Sequence, residues 1–226
     1  MKKIIPFLLI FGALNMSCGK AKKEEPVKPE PKKVSNVVKP DPASVKPDRP
    51  QKDVAVISTM FGDMVIEFFD GNAPKHVESF KLHARSGYYD GTLFHRVIPG
   101  FMIQGGDPNT RGKNKASYGS GGHAAKYYGH GKENDPESWT LPAEFGDIRH
   151  TRGILSMARA TSPSSGGSQF FICAGDAPHL NGQYTVFGQV TEGTQVIEQI
   201  VNLPRDARDN PNRRVEMKVH LEKRDK

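Results

Sequence analysis

The sequence predicts a mainly β domain, a closed antiparallel barrel with helical lids, over residues 53–226. Three observations predict it. Short runs rich in β-branched and aromatic residues recur between Gly, Pro, Asn and Asp breaks. Only two stretches show helical periodicity, and no internal repeat signals a solenoid or propeller.

The elements follow in chain order. Val54, Val56 and Ser58 alternate with Ala55, Ile57 and Thr59, Phe61-Gly62-Asp63 turns the chain, and Met64 to Phe69 returns it, so a hairpin opens the domain. Pro74 starts a helix that runs to about Arg85, with Val77, Phe80, Lys81 and Ala84 at helical spacing, and Gly87 stops it. Short strands are predicted at about 92–97, 101–104, 153–158, 169–174 and 185–190. A second helix is predicted from Thr194 to Val201, facing Val196, Ile197 and Ile200 inward, and a last strand alternates Val215, Met217, Val219 and Leu221. Asn109 to Trp139, with six glycines among polar residues, reads as a long surface excursion.

The first 52 residues have another character. Lys2 and Lys3, the apolar stretch Ile4 to Leu14, and Ser17-Cys18 read as an export signal over residues 1–17, too short to span a bilayer, which takes about 20 residues. Met16-Ser17-Cys18-Gly19 resembles a bacterial lipobox, where the cysteine thiol is lipidated and the peptide is cut before it. Ser17 fits that pattern; Asn15 stands where an aliphatic residue is usual, with Leu14 one place further out. The expectation is a lipid anchor at Cys18 on the bacterial cell envelope, facing the periplasm from the outer membrane. Residues 18–52 then form a disordered Lys/Pro-rich tether, for they hold seven prolines, no aromatic residue and few aliphatics, too little apolar surface to offset ordering.

Charge narrows the function classes. The net charge of +7 is accounted for by Lys2, Lys3 and the excess of ten basic over five acidic residues in 19–52, so residues 53–226 are formally neutral. A nucleic-acid footprint on the domain is absent, and a neutral compact domain on a tether suggests a monomer. Two cysteines make no disulfide framework, and Cys173, inside the apolar run Phe170 to Ala174, reads as a buried strand thiol. His123, His130 and His150 lack helical ligand spacing, so no metal is expected. Gly119-Ser120-Gly121-Gly122 has no following Lys-Ser/Thr, and Ser164 to Ser168 has no nucleophile-elbow pattern.

Three segments carry the functional inference. Phe94-His95-Arg96-Val97-Ile98-Pro99-Gly100-Phe101-Met102-Ile103-Gln104-Gly105-Gly106-Asp107 reads as two short strands about a Pro-Gly turn, bringing an Arg and a Gln among large apolar groups before a Gly-Gly close approach. The others are Gly153-Ile154-Leu155-Ser156-Met157-Ala158-Arg159, and Ser168-Gln169-Phe170-Phe171-Ile172 continuing through His179-Leu180-Asn181-Gly182-Gln183-Tyr184-Thr185-Val186-Phe187-Gly188. In this order and spacing they resemble the cyclophilin family of peptidyl-prolyl cis/trans isomerases, over essentially all of residues 53–226.

The resemblance implies an eight-stranded barrel capped by two helices, with an active groove on its outer face. It implies that Arg96 is the catalytic arginine, that Gln104 holds a substrate carbonyl, and that Phe101, Met102 and Phe171 wall a proline pocket edged by Leu180. Ala158 and Arg159 match a stretch whose backbone pairs with substrate, Arg159 replacing a common asparagine. Tyr184 stands where many members have a histidine and keeps an aromatic wall for proline. His179 stands where many have a tryptophan on whose indole the family's tight cyclosporin binding leans, so the resemblance leaves cyclosporin sensitivity open. The implied partners are proline-containing polypeptides, exported ones given the leader, and no cofactor is needed. A second reading is a tethered module that binds proline segments with incidental isomerase activity.

Overall fold

The computed structural model describes residues 50–225; the leader, Cys18 and the tether up to residue 49 lie outside the described residues. The elements are β1 (Gln51–Thr59), β2 (Gly62–Phe68), α1 (Pro74–Arg85), β3 (Arg96–Ile98), β4 (Met102–Gly105), β5 (Ile154–Met157), β6 (Phe170–Cys173), β7 (Val186–Glu192), α2 (Thr194–Val201) and β8 (Met217–Asp225). β1 opens two residues before the expected boundary at Asp53, because Gln51 and Lys52 pair with Asp225 and Arg224 of β8.

All strand pairs are antiparallel, in one sheet of order β3-β4-β6-β5-β7-β2-β1-β8. The expected closed barrel is corrected here: among the described residues no ladder joins the edge strands β3 and β8. β3 has three residues, and its free edge is taken by the 204–214 segment, where the Asp209 carbonyl accepts from Val97 N (2.9 Å) and Asn210 Nδ2 donates to the His95 carbonyl (2.9 Å). Ahead of β3 the chain reaches β8 and the residues before it through the isolated bridge Leu93 to Glu216 and through backbone bonds. These run from Gly91 N to the Met217 carbonyl (2.9 Å), Met217 N to the Thr92 carbonyl (2.9 Å) and Phe94 N to the Val215 carbonyl (3.0 Å), without forming a ladder between β3 and β8.

Strand alternation places two apolar clusters on opposite faces of the sheet. Phe170 and Ile172 of β6 join the main core with Ile57, Ile66, Ile103, Leu155 and Phe187, whereas Phe171 and Cys173 join a second cluster with Met102, Ile154, Leu180 and Val186. A strand buried on both faces reads as a continuous apolar run, which is what Phe-Phe-Ile-Cys is.

Pro74 sits in the first turn of α1, where its missing N–H costs nothing. Ala73 offers no side-chain cap. The cap arrives instead from Glu144, which accepts from Lys75 N (3.1 Å), His76 N (3.0 Å) and the His76 ring (2.6 Å). Burial pushes the Glu144 carboxyl up, but these bonds outweigh it and hold it below its ordinary range. On the inner face, Phe80 meets Tyr89, Phe170, Phe68 and Phe187 with ring centroids 4.9–5.8 Å apart.

The 109–139 excursion is fastened to the body. Asp107 is fully buried, accepting from Asn109 N (2.8 Å) and Gly119 N (2.5 Å). Short 3-10 turns at Pro108–Arg111, Lys115–Ser117 and Pro136–Ser138 follow. Fully buried Ala124 is flanked by ties to α1: His83 Nε2 to the His123 carbonyl (2.9 Å) and Ala125 N to Ser79 Oγ (3.0 Å). Gly106 is the close approach expected, with φ at +83° and room for no Cβ, which would lie 2.5 Å from the Ser168 carbonyl oxygen.

Candidate active site

β3, β4, β6 and β5 lie side by side, and their register sets one row of side chains across the outer face: Arg96 opposite Gln104, Gln104 opposite Phe171, Phe171 opposite Ser156. Neighbouring strands lie about 4.8 Å apart, so the row brings a guanidinium, an amide and an aromatic ring within reach of one small ligand. Above it is a groove of about 410 Å³ lined by Arg96, Phe101, Met102, Gln104, Ala158, Arg159, Phe171, His179, Leu180 and Tyr184, every groove residue the sequence singled out.

The groove is an apolar cup with polar edges. Phe171, 5% exposed, forms its floor, with Tyr184 edge-on at 5.9 Å and His150 stacked behind it at 6.1 Å and 17°. His150 is fixed in turn, Nδ1 to Asn181 Oδ1 (3.1 Å) and Nε2 to Ser156 Oγ (3.0 Å). Burial, against the pull of the Asn181 bond, holds this imidazole below its usual range, so it is neutral at neutral pH. The wall continues with Phe101, whose ring lies 5.5 Å from that of His179.

Arg96 Nε lies 3.7 Å from Asp209 Oδ2, and Arg205 Nε donates to the other carboxylate oxygen at 3.2 Å. Asp209 has φ at +63°, the single left-handed non-glycine among the described residues. Such strain gathers at functional sites. Here the strained residue supplies both the carboxylate beside Arg96 and the carbonyl that receives Val97 N. Gln104 is aligned by a chain of amides: its Nε2 donates to Gln169 Oε1 (2.9 Å), and Gln169 Nε2 donates to the Gly121 carbonyl (2.7 Å).

Arg159 was expected to act through its backbone. Its side chain is nonetheless firmly placed, bonded to the carbonyls of Gln183 (3.0 Å) and Thr161 (3.1 Å) and lying over the Tyr184 ring at 4.4 Å. Ala158 N is committed to the Gln169 carbonyl (3.0 Å), so this amide is not free to pair with another chain.

Asp209, Gln169 and the positioning use of His150 escaped the sequence reading. Asp209-Asn210-Pro211 is a turn signal, which locates a bend but not what it faces. His150 had been weighed only as a metal ligand; among the described residues no three His, Cys, Asp or Glu side chains converge as a metal would need.

Comparison with known proteins identifies this geometry. Residues 54–221 match the family described as cyclophilin type peptidyl-prolyl cis-trans isomerase/CLD. A probable peptidyl-prolyl cis-trans isomerase of Brucella abortus is 42% identical over 149 residues, covering 66% of this chain and 71% of that protein. A peptidyl-prolyl cis-trans isomerase of Arabidopsis thaliana is 41% identical over 156 residues, covering 69% and 86%. Among solved structures, a Cryptosporidium parvum cyclophilin type peptidyl-prolyl cis-trans isomerase, crystallised in the presence of the dipeptide Ala-Pro, superposes with a TM-score of 0.64 at 34% identity over 75% of this chain and 98% of its own.

Proposed function

The chain belongs to the cyclophilin-type peptidyl-prolyl cis-trans isomerase family and is such an isomerase, and from that premise we propose that Arg96 is its catalytic residue, in a groove that grips proline. The observation that carries this reading is the convergence of ten side chains from separate segments on one groove of about 410 Å³.

Rotation about an X–Pro bond is slow because amide resonance is lost, a barrier of ~18–20 kcal/mol. A catalyst helps by stabilising the twisted amide more than the planar one. On twisting, the prolyl nitrogen pyramidalises and gains a lone pair that the ground state lacks. The Arg96 guanidinium, always protonated and forked, donates to it. A charge-assisted bond of this kind contributes about 1.5–3 kcal/mol, more where water is excluded. Phe101, Met102, Phe171 and Leu180 grip the ring and exclude water, with Tyr184 and His179 completing the rim. The second Nε2–H of Gln104 holds the carbonyl on one side of the rotating bond, and the backbone of Ala158 and Arg159 pairs with the substrate chain.

The test is isomerisation of a chromogenic proline peptide by the full chain, with Arg96→Ala and Arg96→Lys alongside. Arg96 is 43% exposed on its side chain and its one carboxylate neighbour is shared with Arg205, so the fold survives either change. We expect kcat/KM to fall about 10- to 100-fold in Arg96→Ala. Lysine restores only part, because it keeps the charge and loses the fork. A folded Arg96→Ala protein with an unchanged rate would overturn the assignment.

The cellular setting we propose rests on the leader sequence. The protein acts as a monomer on exported polypeptides, anchored through lipidated Cys18 on the periplasmic face of the outer membrane. Cys18→Ser should abolish labelling by a palmitate analogue and release the protein to the soluble fraction. Retention in the membrane by the unlabelled variant would remove the anchor.

A further inference from the structure

A second cavity, of about 450 Å³, lies between the residues leading into β3, the turns from Arg111 to Tyr118, and the 210–216 segment that leads into β8. Its lining carries Arg111, Lys113, Lys115, Arg213 and Arg214 against one carboxylate, Glu216, in a body, residues 53–226, that is formally neutral as a whole. The guanidinium groups are fixed largely by neutral acceptors. Arg111 donates to the carbonyls of Asp90 (3.0 Å) and Tyr88, and Arg214 to the carbonyls of Gly112 (3.3 Å) and Thr110 (3.4 Å) and to Tyr118 Oη (3.2 Å). Glu216 approaches Arg214 only at 3.6 Å, and Lys115 turns to Asp206 at 3.2 Å. Carbonyl oxygens orient a guanidinium without cancelling its charge, so Arg111 and Arg214 are preorganised cations.

The polar interior of the cavity is also incomplete. Among the described residues, the buried side-chain polar atoms without a hydrogen-bond partner are Tyr88 Oη, both ring nitrogens of His95 and Asn210 Oδ1. His95 and Asn210, at 3% and 6% exposure, line this cavity, whereas Tyr88 lies outside its lining, against His83 and His123. Buried polar groups are ordinarily paired, so the orphaned atoms of His95 and Asn210 on the wall of one cavity point to an occupant. Leu93, Phe94 and Pro211 give the same cavity an apolar wall.

We propose that this cavity binds an organic phosphate, its dianionic head between the Arg111 and Arg214 guanidinium groups with Lys113 and Arg213 at the mouth, and its apolar body against Leu93, Phe94 and Pro211. A monocarboxylate would leave several of these cations uncompensated, whereas a phosphate dianion matches both the charge and the forked donors. The site is separate from the Arg96 groove and does not depend on the role given to that residue.

The full chain is titrated with phenyl phosphate by calorimetry, with phenol and inorganic phosphate in parallel. Saturable binding of phenyl phosphate is expected, tighter than either parallel probe and falling steadily with salt. Lys113→Gln and Arg213→Gln, at exposed positions that leave the fold intact, should together weaken it about tenfold or more, while a proline peptide filling the groove leaves it unchanged. Absence of saturable binding, equal binding of phenol, or affinity untouched by the two substitutions would each overturn the proposal.

Discussion

Gln169 never touches the reacting bond in the proposed mechanism, which makes it the sharpest probe of how the groove is held. Its Oε1 receives Gln104 Nε2 at 2.9 Å and its own Nε2 reaches the Gly121 carbonyl at 2.7 Å. Gln169→Ala removes the acceptor that fixes the Gln104 amide, leaving that amide free to rotate. Both glutamines are partly buried, so one neutral hydrogen bond of about 0.5–1.5 kcal/mol is lost, corresponding to roughly 2- to 12-fold in kcat/KM. Gln104 holds its carbonyl in ground and transition states alike, so the loss should fall on KM with kcat nearly unchanged. The assay is steady-state isomerisation of a proline peptide by the four proteins of the Gln104→Ala/Gln169→Ala cycle. With Gln104 already removed, the second substitution should cost nothing further, giving a coupling close to the single-mutant loss. Equal losses in both backgrounds would show that Gln169 does not act through Gln104, and a fall in kcat alone would refute the uniform-binding argument.

Other consequences are open to direct measurement. Phe171→Ala empties a site packed against His150 and Tyr184 and should cost about 3–5 kcal/mol in urea unfolding together with most substrate capture; a loss under 1 kcal/mol would mean that the groove collapses to fill the space. Burial lowers the His83 imidazole to about 4, outweighing the bond to the His123 carbonyl, so the folded state binds the proton less well than the unfolded chain. Stability is then fully present above pH 6.5 and lost as the pH falls towards 4, by on the order of 3 kcal/mol, with His95 and His150, also lowered by burial, acting in the same direction. Unfolding midpoints that stay level between pH 7 and 4.5 would contradict this. The Cys173 thiol, fully buried and pushed up to about 12 by that burial, should resist thiol reagents in the native Cys18→Ser chain and react on unfolding; prompt native labelling would place it at the surface.

How much was legible in the sequence varies with the range of the interaction involved. The helices were read to the residue, α1 at Pro74–Arg85 and α2 at Thr194–Val201, because a helix is closed by bonds to its own fourth neighbours and announces its ends by proline and glycine. The short strands were found but their ends moved by one to four residues: the run expected at 92–97 narrows to Arg96–Ile98, since residues before it bridge towards β8 and Asp107 instead. The groove residues were named through their resemblance to a family, and they lie together on one groove.

By itself the sequence determined the β character, both helices, the leader-like start and the residues destined for the groove, all properties of neighbouring residues or of a recognisable pattern. Only the tertiary structure decided what those residues face. Edge pairing between β3 and β8 is a matter of where the 204–214 segment lands, and that segment covers β3 and leaves the sheet without a closing ladder. Glu144 caps a helix that begins 70 residues earlier, and Asp209 reaches Arg96 across more than a hundred. Net charge showed the same blindness: residues 53–226 sum to neutrality, yet folding gathers Arg111 and Lys113 with Arg213 and Arg214 around one cavity. A sum over the chain discards position, and position is what sets the field that a ligand meets.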